Sequence, residues 1–192
     1  MSIEKTKAND VVASGLIAGA RPTDGMTALG YFTLECYDKD GNLKWKAENH
    51  NLVVNVGLQY MCSTGLTNGT QITTWYVGLY GAGASNTPAA SDTMSSHAGW
   101  TEVVPYSNAT RPTCTFVTAT TANPSVATNS ASPASFSINA TATVGGAFLT
   151  SNNTKSGTTG TLFSAADFQS PGDRTVASGD TLNVTYTLSL AG

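Results

Sequence analysis

The sequence predicts an all-β fold: an antiparallel β-sandwich with one short helix and an extended amino-terminal arm. Three observations lead there. Charged residues make up only 11% of the chain, against about a quarter in ordinary domains, and Thr, Ser, Asn and Gly take their place. β-Branched residues suit a pleated surface, and Gly supplies turn conformations. Asp40-Gly41 lies between two alternating runs, and two late segments alternate strictly between apolar and hydroxyl side chains. The three Trp, seven Tyr and six Phe are core anchors of a kind that a disordered chain lacks.

The 192 residues fit one domain with an added arm and can bury a sizeable core. Residues 1–29 show no sustained period and read as an arm or a loosely attached lead-in, leaving 30–192 as the domain; Arg21-Pro22-Thr23-Asp24-Gly25 is turn chemistry. Tyr31–Tyr37 alternates through Phe32, Leu34 and Cys36, and Leu43–Glu48 through Leu43, Trp45 and Ala47. Asp-Gly between them predicts a hairpin, since Gly accepts the positive φ of the turn. Apolar residues then recur at helical spacing through Leu52, Val53, Val56, Leu58 and Tyr60, with Asn49 or Asn51 as the expected cap.

Ile72–Tyr80 reads as a buried strand with Trp75, Val77 and Leu79 on one face. The aperiodic stretch Ala82–Trp100 reads as a long surface loop, a common place for binding contacts. Strands are expected at Glu102–Tyr106 and Thr113–Thr118, followed by a Ser/Ala/Asn-rich separator from Thr120 to Pro133. Phe136, Ile138, Ala140, Ala142 and Val144 read as one strand, and Leu182, Val184, Tyr186, Leu188 and Leu190 as another. Between them, Ala147-Phe148-Leu149 reads as a strand end and Ser164–Phe168 as a helical turn. The total of seven or eight strands suits two sheets. Hydroxyl outer faces can meet a neighbouring subunit without the desolvation cost of buried charge.

Composition also narrows the function classes. With a formal net charge of -3 and nine Lys and Arg, the chain lacks the clustered cations that phosphate backbones demand, so neither nucleic acid nor an anionic membrane is expected as a partner. No apolar run reaches the roughly 18 residues of a spanning helix, and Met1–Asp10 is polar, which predicts a soluble protein without a secretory signal. Cys36, Cys62 and Cys114 are widely spaced and read as buried reduced thiols.

Catalytic groupings are sparse. His50 and His97 lie in no cluster with metal-ligand spacing. Asp92, Ser95, Ser96 and His97 hold the residue types of a hydrolase triad, but no Gly-x-Ser-x-Gly elbow accompanies them. Asp38, Asp40 and Asn42 resemble the start of a calcium loop but lack its third ligand spacing and distal Glu, and the flanking alternation explains Asp-Gly completely as a turn. Gly78–Gly83 lacks the Gly-Lys-Ser/Thr of a phosphate loop. Paired carboxylates for glycoside hydrolysis would have to come from few Asp and Glu. The expectation is a non-enzyme without metal or cofactor. Trp75, Tyr80 and Trp100 are the candidates for stacking on sugar faces, with core packing as the competing role, and Trp45 is expected to pack as well.

Several ordered segments add a family resemblance. Tyr37-Asp38-Lys39-Asp40-Gly41-Asn42-Leu43-Lys44-Trp45, His50-Asn51-Leu52-Val53, Trp75-Tyr76-Val77-Gly78-Leu79 and Asp92-Thr93-Met94 are followed by His97-Ala98-Gly99-Trp100-Thr101-Glu102. Tyr106, Ala109-Thr110-Arg111-Pro112, Phe136-Ser137-Ile138-Asn139-Ala140, Gly146-Ala147-Phe148-Leu149 and Ser178-Gly179-Asp180-Thr181-Leu182-Asn183-Val184 continue the order. Together they resemble a family of small structural proteins of tailed bacteriophages, over residues from about 31 to 190. The resemblance implies a capsid decoration, or cement, protein: a jelly-roll-like domain, a homotrimer, bound to the major capsid protein on the virion surface after synthesis in the bacterial cytoplasm. The alternative within that resemblance is a tail, fibre or collar protein contacting the host surface or its glycans.

Overall fold

The computed structural model describes residues 25–81, 87–168 and 172–192. Most of the arm expected at residues 1–29 lies outside that range. The described residues form a mainly-β fold of two sheets with one helix, and every strand pairing is antiparallel. In chain order the elements are β1 (Thr27–Tyr37), β2 (Leu43–His50), β3 (Leu52–Val53), α1 (Asn55–Leu66), β4 (Trp75–Gly81), β5 (Glu102–Val103) and β6 (Thr113–Cys114). They continue with β7 (Ser125–Thr128), β8 (Ala134–Ser137), β9 (Ala142–Thr150), β10 (Leu162–Asp167), β11 (Arg174–Val176) and β12 (Thr181–Ala191). The first sheet runs β2-β1-β12-β7, with β8 also on β12; the second runs β3-β10-β9-β4-β5, with β11 on β9 and β6 on β4.

The first hairpin forms where the alternation places it. Cys36 pairs with Trp45 and Leu34 with Ala47. Asp38 Oδ1 accepts from the amides of Asp40 and Asn42, each at 2.9 Å, and Gly41 takes φ +83°. A residue with a Cβ is disfavoured in that region, so Asp-Gly settles the turn. β1 begins at Thr27, inside the span expected to be arm, and pairs along its whole length with β12.

Five expectations need correction. The helix starts at Asn55, not at residue 49 or 51: Val54 is its extended N-cap residue, without a side-chain bond. Asn51 is engaged elsewhere, its Nδ2 donating to the Tyr186 hydroxyl at 2.9 Å, while Leu52 and Val53 pair with β10. Ser164–Phe168 is not helical; most of it belongs to β10, a strand buried on both faces between β3 and β9. Such strands read as runs of small and apolar residues, and the periodicity signal vanishes. Phe136–Val144 is split between β8 in one sheet and β9 in the other, because exposed Asn139, Ala140 and Thr141 carry the chain across. The Thr120–Pro133 separator contains β7, which pairs with β12. The strands expected at Glu102–Tyr106 and Thr113–Thr118 shrink to two residues each.

Side chains from both sheets meet in one cluster that includes Phe32, Leu34, Val77, Leu79, Phe136, Leu149, Leu182, Val184 and Tyr186. A second cluster of Val54, Tyr80, Met94, Trp100, Phe148, Leu162 and Ala165 lies on the opposite face of the second sheet. Helix α1 approaches that sheet through Gly57, its one buried residue. A Cβ there would collide with the Phe163 carbonyl, so only glycine lets helix and strand lie this close.

Candidate interaction surface

The two sheets differ in what covers them. The outer face of the second sheet is closed by the chain's own segment from residue 87 to Trp100, which buries Met94 and Trp100 to 2% exposure. The outer face of the first sheet carries no such cover among the described residues. Its inward positions are Phe32, Leu34 and Cys36 on β1 and Leu182, Val184 and Tyr186 on β12, all fully buried. The alternation therefore turns the intervening residues outward.

Register arranges those outward residues in rows across the strands. His50, Tyr31, Thr187 and Thr128 form one row; Glu48, Thr33 and Thr185 the next; Lys46, Glu35, Asn183 and Ser135 a third; Tyr37, Thr181 and Ser137 a fourth. Cross-strand bonds hold the rows rigid: Thr128 Oγ1 meets Thr187 Oγ1 at 3.0 Å and Thr33 Oγ1 donates to Glu48 Oε2 at 3.2 Å, while along β1 Tyr37 donates to Glu35 Oε2 at 3.0 Å. Lys46 pairs with Glu35 at 2.9 Å, which neutralises the middle of the third row. The result is a broad, pre-ordered face dominated by hydroxyl and amide groups.

Charge elsewhere is used to brace the fold. Arg111, wholly buried, forks onto Glu102 through Nε at 2.8 Å and Nη2 at 2.7 Å. Its Nη1 donates to the Asn152 carbonyl at 2.8 Å and Nη2 also to the Gly157 carbonyl at 3.1 Å. The Ser156 amide donates to Glu102 as well, so the pair fastens the 150–160 loop to β5. At the other end, Lys44 pairs with the buried Asp180, which also accepts from the Ala177 amide and the Cys36 thiol. This joins the first hairpin to the β11–β12 turn.

Asp180 gives the acid limb of stability a sign. Burial pushes its carboxyl up, but Lys44, the Ala177 amide and the Cys36 thiol outweigh it and hold the pKa below the usual range. A carboxylate with a folded pKa below its unfolded value of about 3.9 stabilises fully above that value. The contribution is lost as pH falls through the folded pKa. Glu35, bonded by Lys46 and Tyr37, and Asp38, bonded by Asn42, are lowered too and act in the same direction. Urea midpoints measured from pH 7 to pH 2 should fall below about pH 4. Asp180→Asn should be less stable at pH 7 and fall less steeply; an acid limb parallel to that of the parent would contradict the assignment.

The residues singled out as catalytic or binding candidates are placed as follows. Asp92 accepts from Trp100 Nε1 at 2.9 Å and from the Ala89 amide, and His97 stacks on Trp100 at 3.9 Å with Nδ1 2.8 Å from the Trp100 carbonyl. Ser95 Oγ contacts Thr93 Oγ1, and its residue-mates Asp92 and His97 serve Trp100 rather than a serine. Of the extended surface loop expected at Ala82–Trp100, residues 82–86 lie outside the described residues, and the segment from residue 87 to Trp100 is a packed cover. Asp38, Asp40 and Asn42 bond within their own turn, where Asn42 Nδ2 also meets Asp38 at 3.2 Å. Tyr80 and Trp100 are buried and show no face for a sugar, while Trp75 stacks edge-on with Tyr60 and Phe163. Trp45 packs against the core and donates to the Thr175 carbonyl.

Cys36 and Cys114 are buried, and desolvation pushes each thiol up to about 12; Cys62 is exposed on α1, contrary to expectation. No helix among the described residues is long and apolar enough to cross a membrane. The Glu102–Arg111 brace was invisible in the sequence, because the two residues stand nine positions apart and meet only in the folded chain. Among the described residues, fold and surface together define a mainly-β, two-sheet domain with one sheet face covered and the other uncovered. No protein-family model, no curated protein and no solved structure matches the chain.

Proposed function

We propose that this chain is a bacteriophage capsid decoration (cement) protein, a non-enzymatic virion component that binds the outer surface of the assembled head across boundaries of the major capsid protein. The observation that carries the reading is the open, hydroxyl-rich face of the β2-β1-β12 sheet, set against a second sheet that covers itself. Hydroxyls and amides exchange water for partner groups at modest cost, whereas unpaired charge would oppose burial. A rigid face also loses little conformational entropy on docking. The ordered resemblance to phage structural proteins supplies the partner. In this reading the two sheets close as a jelly-roll-like sandwich and three copies act together, each made in the host cytoplasm, with neither nucleic acid nor membrane as a ligand.

Binding that exists only in the assembled shell stabilises that shell by linkage. Shells stripped of this protein and then saturated with it should be disrupted at a higher temperature than bare shells. Equal disruption temperatures at saturation would end the cement reading.

A further inference from the structure

An apolar groove opens between α1 and the carboxy-terminal end of β12. Its outer part, about 600 Å³, is lined by Met26, Tyr60, Met61, Cys62, Leu66 and Leu190, among others. An inner part of about 250 Å³ shares Tyr60, Met61 and Leu190 with it and reaches Trp75, Phe116 and Phe163. Neither part has an Asp, Glu, Lys or Arg in its lining. Leu66 is 85% exposed and Met26 64% exposed at its rim. Soluble domains rarely leave a contiguous apolar patch of this kind without an occupant.

The chain itself carries a matching segment. Within residues 1–24, Val11-Val12-Ala13-Ser14-Gly15-Leu16-Ile17-Ala18-Gly19-Ala20 is free of charge, although Glu4, Lys5, Lys7 and Asp10 precede it and Arg21 follows. Only Arg21–Gly25 separates this run from Met26, which lines the groove. Pro22 and Gly25 are turn-forming residues, so that link is suited to reversing the chain. A five-residue link also reaches at most about 17 Å, which keeps the run beside the groove at high effective concentration.

We propose that the groove is the seat of residues Val11–Ala20 of the same molecule, with Leu16 and Ile17 as its principal anchors. The inference stands independently of the capsid reading, since it concerns how the free protein covers its own apolar surface. Cys62 is a native reporter in the groove wall, while Cys36 and Cys114 are buried at 0% and 3% exposure.

The test is the alkylation rate of Cys62 in the full-length protein, with labelling at the three cysteines read by peptide mass. In the double variant Leu16→Asp/Ile17→Asp, Cys62 should react about tenfold faster or more, because protection tracks the closed population. Cys36 and Cys114 should stay unlabelled in both proteins, which reports an intact core. The parent's protection should be the same across a hundredfold dilution series. Equal Cys62 rates in parent and variant would overturn the proposal. Protection that fades on dilution would overturn it too, by showing that the segment comes from a second copy.

Discussion

Glu102→Gln is expected to cost about 3–5 kcal/mol of stability, because it leaves the buried Arg111 guanidinium without its counter-charge. Arg111 is fully buried and Glu102 nearly so. Both forks of the carboxylate are in use: one oxygen takes Arg111 Nε, and the other takes Nη2 and the Ser156 amide. Gln offers one acceptor and one donor in place of two charged acceptors, so one guanidinium contact becomes a donor facing a donor. At a urea dependence of about 2 kcal/mol/M, the midpoint should drop by about 2 M. Replacing both partners by apolar residues, Glu102→Leu with Arg111→Met, should recover a good part of the loss, since an apolar pair needs no desolvation. Recovery should stay incomplete, because the Asn152 and Gly157 carbonyls lose their donor. A Glu102→Gln midpoint within a few tenths of the parent would refute the bracing role.

Thr185→Arg is expected to weaken attachment to the shell about 100-fold, equivalent to about 2.7 kcal/mol, with the free protein's stability almost unchanged. Thr185 sits at the centre of the open face, opposite Thr33 and one strand from Glu48. In the free protein an arginine there has Glu48 and solvent to satisfy it. Against a partner surface it would add bulk to a flat face and carry charge into a region that offers hydroxyls. Leu58→Arg, placed on the half-exposed outer side of α1, serves as the control and should bind as the parent does. Sedimentation of shells with each variant at graded concentrations measures the difference. Equal retention of Thr185→Arg and parent would remove this face from the interface.

What could be read from the sequence followed the range of the interactions involved. The β1–β2 hairpin and the long β12 strand were legible because two-residue alternation and the Asp40-Gly41 turn are local signals. The hydroxyl composition of the open face was legible for the same reason, as the odd positions of Thr181–Ser189 stand opposite apolar ones. Strand β10 was not, since Ser164, Ala165 and Ala166 are chosen for close packing on both faces rather than for a periodic pattern. The break between β8 and β9 was hidden because alternation continues through Asn139–Thr141 while the chain changes sheets. The covering role of Asp92, His97 and Trp100 depends on where the second sheet lies beneath them. Asp92 and His97, which held the residue types of a catalytic set, are the two supports of one indole, Trp100.

This reading also accounts for the scarcity of charge. Lys44 with Asp180, Arg111 with Glu102 and Lys46 with Glu35 are each paired. Lys155 donates to the Tyr106 carbonyl and lies 4.3 Å from the Tyr106 ring centroid. Charges thus fasten loops and hairpins, and on the broad face of the first sheet they are confined to the paired Lys46 and Glu35 and to Glu48, which Thr33 bonds, among hydroxyl and amide groups that are cheaper to desolvate.

The central claim, that the open sheet face docks on an assembled head, is tested most directly by a reconstruction of the phage particle that carries this chain. The account predicts density for the two-sheet domain at repeated positions on the outer shell, with Thr33, Thr185 and Asn183 turned toward major capsid protein across a subunit boundary. Density confined to the tail, or a shell-bound domain whose β2-β1-β12 face points to solvent, would contradict it.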